Sequence, residues 1–191
     1  MLMLLDGHAM VYRAWYAIKT PMTVRSTGQE VRGVYNFAQM LRRAIDTFRP
    51  DQLAITFDLP SPTFRHKLFP AYKAHRPEMP QELREQFPLV RRLVESFQIP
   101  IYELEGLEAD DLLGTLSAQA EAEGIEVMIL TGDTDVLQLV SPTVRVALQY
   151  RAGERIVFDQ DKVAEKYGGL TPEQLIHLKA LRGDPSDNIP G

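Results

Sequence analysis

Short apolar runs alternate with stretches of helical spacing along this chain, and that alternation limits the fold more than any other feature. Residues 2–5, 53–57, 101–104 and 127–130 read as strands. Between them, Val34, Phe37, Ala38, Leu41, Ile45 and Phe48 recur at three- and four-residue intervals, so 31–48 reads as a helix. Leu83, Phe87, Val90, Leu93, Val94 and Phe97 form a second stripe, with Pro80 suited to the first helical position. A third helix is expected over 107–123, stopped by Gly124. The remainder reads as a short helix near 136–140, strands at 144–149 and 155–158, and helices at 161–167 and 172–181. This order predicts an α/β fold with a mostly parallel central sheet flanked by helices.

The chain has 191 residues, 45% of them hydrophobic, enough for one sizeable core. No apolar run approaches the roughly 20 residues of a membrane helix. The opening Met1-Leu2-Met3-Leu4-Leu5 runs into Asp6 and is too short for a signal peptide. The absence of cysteine excludes disulfides and thiolate metal sites and fits a cytoplasmic protein. Four scattered histidines argue against zinc, whereas carboxylate ligands suit Mg²⁺ or Mn²⁺.

The carboxylates are where the chemistry concentrates. "GLEADDLLGTL" places Glu108, Asp110 and Asp111 at the start of a helix. Unit charges ~5 Å apart repel by roughly 3 kcal/mol at an effective dielectric near 20. A helix N-terminus offsets about 0.3–1 kcal/mol per charge, so one or two acids there are ordinary. More acids follow strand ends: Asp6 after the first, Asp58 after the second, Asp133 and Asp135 after the fourth. Open α/β sheets bind ligands outside the carboxyl ends of their strands. Glu108 and Asp111 share a helix face, and Asp110 points elsewhere but reaches the same crevice. Seven carboxylates gathered at one edge call for cations. Two divalent ions ~3.5–4 Å apart would make the cluster a phosphodiester-cleaving device. "LRGDPSDNIPG" is a turn that could add Asp184 and Asp187 to that edge.

Net charge is −5, yet residues 65–92 carry seven Lys/Arg against three acids. Six of the thirteen prolines lie between Pro60 and Pro88, and residues 59–79 read as a long loop, usually functional or mobile. Phe64, Phe69 and Tyr72 are interleaved with the basic residues there. Lys and Arg neutralise phosphates and aromatics stack on unpaired bases.

"LLDGHAMVYRAWYA", "FDLPSPTFRHKLFPAYKAHR", "LEGLEADDLLGTLSAQAEAEG", "VMILTGDTDVLQLV" and "LKALRGDPSDNIPG" together resemble the bacterial 5′ nuclease family. This is the 5′–3′ exonuclease, or flap endonuclease, domain found at the N-terminus of DNA polymerase I and as stand-alone exonucleases. The resemblance implies a PIN-like (resolvase-like) core over residues 1–170, with a helical arch or clamp at about 60–90. Residues 171–191 would then be the start of a helix-hairpin-helix DNA-binding region, cut short at Gly191. It also implies hydrolysis of DNA at 5′ ends or 5′ flaps with two Mg²⁺ or Mn²⁺ ions. By resemblance, Asp6, Asp58, Glu108, Asp110 and Asp111 match the tighter metal site. Asp133, Asp135, Asp184 and Asp187 match the second. Lys73 and Arg76 match catalytic arch residues, and Tyr12, Arg13, Arg65 and Tyr72 join them as DNA contacts. A helix packing on the sheet is the plain alternative for Tyr12 and Arg13. The expected partner is DNA with a single-stranded 5′ end or flap, bound by a monomer in the bacterial cytoplasm, with no membrane contact. A polymerase domain beyond residue 191 is one organisation the resemblance implies. A non-catalytic DNA-structure binding module is the alternative function. A small-molecule phosphohydrolase is disfavoured, because Asp6 is followed by Gly7-His8 and not by a second nucleophilic acid or a Gly-rich phosphate loop.

Overall fold

The computed structural model describes residues 1–149 and 154–191. Its chain order is β1 (Leu2–Asp6), α1 (Gly7–Ala17), α2 (Arg32–Phe48), β2 (Gln52–Thr56), α3 (Phe64–Leu68), α4 (Gln81–Arg84) and α5 (Gln86–Ser96). There follow β3 (Ile101–Tyr102), α6 (Ala109–Ala122), β4 (Val127–Thr131), a 3-10 turn (Asp135–Leu139), β5 (Val144–Gln149), β6 (Arg155–Phe158), α7 (Gln160–Lys166) and α8 (Gln174–Arg182). One sheet in the order β3-β2-β1-β4-β5-β6 holds them together. It is parallel except for β6, which returns antiparallel beside β5 with Gln149 opposite Arg155. The short connection decides that hand, since a parallel return needs a crossover of about a dozen residues.

Both faces of the sheet are covered, which is why its central strands are apolar throughout. Side chains alternate between faces. Met3, Leu5, Met128 and Leu130 pack under α1, α2 and α5, with Met10, Trp15, Phe37, Leu41 and Val90. Leu4, Val127, Ile129 and Val146 pack on the other face with Leu113, Leu137, Val163 and Leu175. Among the described residues no helix is long and apolar enough to cross a membrane.

The element boundaries show where local chemistry overrides periodicity. The stripe over 80–97 is two helices, with Pro80 outside the first as its cap. Pro88 has no N–H to donate and is tolerated only in a first turn, so α5 restarts at Gln86. β3 stops at Tyr102, short of Leu104. α6 begins at Ala109, after Glu108 as its cap, and Gly124 beyond it takes the left-handed φ of +71°. The proline-rich stretch 59–79 is not structureless. It contains α3, opened by a capping box between Thr63 and His66, and then a series of turns.

The first turn of α1 is crowded. A Cβ on Gly7 would come within 2.7 Å of three ring carbons of Phe57. That ring is buried and packed edge-on against His8 and Phe87, so it has little room to move. Gly7→Ala is expected to destabilise the protein by about 1–3 kcal/mol, the range of overpacking in a full core. Urea denaturation checks this, and an unchanged midpoint would show that the Phe57 ring yields freely.

Candidate metal centre

Parallel strands point their carboxyl ends one way, and the acids follow them. Asp6 ends β1 and caps α1: its Oδ1 accepts the Ala9 N–H at 2.9 Å and its Oδ2 the Thr131 hydroxyl at 2.7 Å. Asp58, two residues beyond β2, accepts the Ala109 N–H at 2.6 Å, which fixes the first turn of α6 against the strand end. The Asp58 main-chain N–H donates to His8 Nδ1 at 3.1 Å. Asp133 lies beyond β4, with its N–H on the Thr131 hydroxyl and its Oδ1 accepting from the Asp135 N–H. Asp110 enters from the first turn of α6.

These four carboxylates touch no lysine or arginine among the described residues. Their electrostatics follow. Burial foremost, helped by the charges of Asp58 and Asp133 and opposed by the bonds from Ala9 and Thr131, raises Asp6 to about 6. Burial, then the charges of Asp6, Asp133 and Asp58, raises Asp110 to about 8. Burial also lowers the His8 pKa, so the imidazole beside Asp58 is held toward its neutral form.

The remaining acids are bridged by cations. Glu108 and Asp111 form a reciprocal capping box at the start of α6. Arg65 forks onto both oxygens of Asp111 at 2.7 Å each, which pulls that carboxyl below its ordinary range. Glu108 takes the Tyr72 hydroxyl at 2.9 Å and Lys73 Nζ at 3.0 Å. Arg76 pairs with Asp187, and the Lys73 N–H donates to the Asp187 carbonyl at 2.9 Å. Lys179 donates to both Asp135 and Asp184. Burial and then the Glu108 charge push the Tyr72 hydroxyl far above its ordinary range.

A cleft of about 650 Å³ collects all the acids singled out from the sequence except Asp111, with Tyr12, Arg65, Tyr72, Lys73 and Arg76 on its walls. Asp111 faces Arg65 outside that lining. Arg13 turns away as well, donating to the Gly132 carbonyl at 3.0 Å and tying α1 to the end of β4. Tyr72 is 5% exposed, so its ring is covered here and not offered to solvent. Sequence reasoning missed three residues. Thr131 and His8 position Asp6 and Asp58, and His8 was signalled only by adjacency in "LDGHA". Lys179 carried no periodic signal at all.

No three of these side chains, among the described residues, close on one point to hold an ion as they stand. The donor chemistry nevertheless fits a hard divalent cation. The carboxylates offer oxygen only, and Asp6 and Asp110 are forced toward protonation by burial first and by neighbouring carboxylate charge second, which a cation would relieve.

A profile of the family described as "5′-3′ exonuclease, N-terminal resolvase-like domain" matches residues 1–168. The chain is 46% identical to DNA polymerase I of Chloroflexus aurantiacus over 194 residues, covering all of this chain and 20% of that protein. It is 46% identical to DNA polymerase I of Bacillus caldotenax over 191 residues, covering all of this chain and 21% of that one. The chain thus spans about a fifth of the length of the curated relatives it matches. Among solved structures, the T5 D15 protein co-crystallised with metal ions superposes with a TM-score of 0.77 at 20% identity, over all of this chain and 68% of that one. A T5 D15 flap endonuclease pseudo-enzyme–product complex with DNA and metal ions gives 0.76 at 21% identity, over all of this chain and 69% of that one. At that identity these two show a shared fold.

The raised carboxyls set a pH dependence. In the unfolded chain Asp6 and Asp110 ionise near 3.8, but in the fold they do so at about 6 and about 8. The folded protein therefore holds more protons through that window, and their contribution to stability falls as pH rises from about 4 to about 8. His8, with a lowered pKa, contributes the opposite slope below its ordinary 6.5. The diagnostic is thus a difference between proteins. With chelator present, the wild-type melting temperature should drop relative to Asp110→Asn as pH rises toward 8, followed by circular dichroism. Parallel profiles would refute the raised pKa of Asp110.

Proposed function

The chain belongs to the 5′-3′ exonuclease family through its N-terminal resolvase-like domain, and on that footing we propose that it is a divalent-metal-dependent nuclease hydrolysing DNA phosphodiesters at 5′ ends or 5′ flaps. One observation carries the reading. Four carboxylates with no lysine or arginine partner among the described residues share a cleft with Lys73 and Arg76. Such a cleft repels DNA until cations enter it, and then attracts phosphate.

Two Mg²⁺ or Mn²⁺ ions are the proposed cofactors. Asp6, Asp58, Asp110 and Asp133 would hold the first, a grouping that departs from the one the resemblance implies by taking in Asp133 and leaving out Glu108 and Asp111, which are paired with Lys73 and Arg65. Glu108, Asp135, Asp184 and Asp187 become available to the second as their own cations turn away. When bound, the ions supply Lewis-acid polarisation of the phosphate and activation of water at neutral pH. Asp111 acts in this reading by anchoring Arg65 beside Glu108. Lys73 and Arg76, now on Glu108 and Asp187, would exchange those carboxylates for phosphate oxygens and stabilise negative charge as the phosphodiester is attacked. Arg65 and Tyr72 would contact the single strand once residues 60–90 move outward, and Tyr12 would line its path. Arg13 would serve DNA binding only on leaving Gly132.

The likeness to DNA polymerase I supports a larger organisation in which residues 1–170 form the nuclease core and 171–191 begin a duplex-gripping region, with a polymerase domain further along. The bacterial origin of those relatives supports a bacterial cytoplasmic setting. A monomer suffices, since one chain supplies the whole cleft.

Release of a 5′-labelled product from flap DNA, with and without Mg²⁺ or Mn²⁺, tests the proposal. Cleavage should require the metal and fall by roughly 10²–10³-fold in Asp110→Asn, the scale of losing one strong electrostatic contributor. Lys73→Ala should slow cleavage and reduce the salt slope by about one phosphate contact. Flap binding without cleavage would favour a non-catalytic DNA-structure binding module. Competition by mononucleotides as effective as by DNA would favour a small-molecule phosphohydrolase.

A further inference from the structure

Lys179 projects from α8, and its ammonium lies between two carboxylates from separate elements. Its Nζ donates to Asp135 Oδ1, on the 3-10 turn after β4, and to Asp184 Oδ2 at 2.7 Å, in the turn after α8. The Ser186 N–H and hydroxyl occupy the other oxygen of Asp184 at 2.9 and 2.6 Å. Both oxygens of Asp184 and one of Asp135 are therefore already engaged at this end of the cleft. No ammonium or guanidinium makes the equivalent contact with Asp6, Asp58, Asp110 or Asp133 among the described residues.

We propose that Lys179 is a built-in counter-ion that competes with a divalent cation for Asp135 and Asp184, so that this half of the cleft binds metal only as the ammonium leaves. The proposal rests on the metal-dependent reading above and adds a reason for two classes of site to differ in affinity. The cation-free acids accept an ion directly, whereas the bridged acids exchange one cation for another. Lysine suits exchange. Its compact, strongly hydrated charge sits on a flexible stem, and its side chain is 42% exposed, against 12% for Asp184. Lys73 bridges Glu108 and Asp187 in a similar way, but its proposed phosphate contact makes Lys179 the cleaner test.

Calorimetric titration of Mn²⁺ into the 191-residue chain, with no DNA present, reads this directly. Lys179→Met should tighten the weaker class of site by about tenfold, equivalent to about 1.4 kcal/mol, and leave the tighter class within about twofold. Adding Asp135→Asn to Lys179→Met should abolish the gain. Arg182 lines an adjoining hollow with Asp135 and Asp184 but forms no ion pair with them, so Arg182→Met controls for loss of positive charge alone. It should leave both classes nearly unchanged. Lys179→Met should also melt lower without metal and gain more from added Mn²⁺. A weaker class that is unchanged or loosened in Lys179→Met, or tightened equally in Arg182→Met, overturns the competition. Metal binding that persists and is weakened by Asp110→Asn would then leave the metal reading standing. No Mn²⁺ binding in any variant would sink both.

Discussion

Like charge gathered at one edge of a sheet must be balanced, and the polar structure of this protein is organised by that need. The parallel strands β1, β2 and β4 deliver Asp6, Asp58 and Asp133 to the same edge, and α6 adds Asp110. Backbone and hydroxyl donors from Ala9, Ala109 and Thr131 take up part of the charge. They do not take up all of it, since Asp6 and Asp110 are still driven toward protonation. An apolar core of this size could be built without any of these acids, so folding stability alone does not account for their placement.

The same need ties distant parts of the chain together. Residues 71–76 lie against 184–189 through the Lys73 N–H on the Asp187 carbonyl, Asn188 Nδ2 on the Ala71 carbonyl, and the Arg76–Asp187 pair. Lys73 also adopts a left-handed φ of +56°, uncommon for a residue with a side chain. A local conformation of that kind persists where its surroundings determine it, and here both its N–H and its ammonium are bound.

Much of this was legible in the sequence, because period and position are local properties. The strand runs at 2–5, 53–57 and 127–130 stand within a residue of β1, β2 and β4, since a buried parallel strand needs an unbroken apolar run. Strand ends then located the acids. What spacing could not give was absolute orientation. Glu108 and Asp111 do share a face, but that face turns to Arg65, and Asp110 is the one pushed to a raised pKa in the cleft. The buried stripe Ala109, Leu113, Ser117 and Ala120 sets the rotation of α6, and it is weakly apolar, so it says little until the Asp58–Ala109 bond is known. The bond that Arg13 makes was invisible for a related reason: its partner is a carbonyl 119 residues away, and any residue offers a carbonyl.

Exposure separates the two halves of the Arg76–Asp187 and Lys179–Asp184 pairs and indicates which would move. Arg76 and Lys179 are 49% and 42% exposed, while their partners Asp187 and Asp184 are 15% and 12%. The carboxylates are fixed by the fold through Ser186 and the turn at 184–189, and the cations reach them from outside on flexible stems. Separating such a pair by moving the cation restores hydration to the charge that is already half in water. Moving the acid would require the turn to unfold. The cations are therefore the adjustable component of a rigid acidic frame. That asymmetry lets the cleft rest closed on its own lysines and arginines and, under the proposed function, open to metal and phosphate in turn.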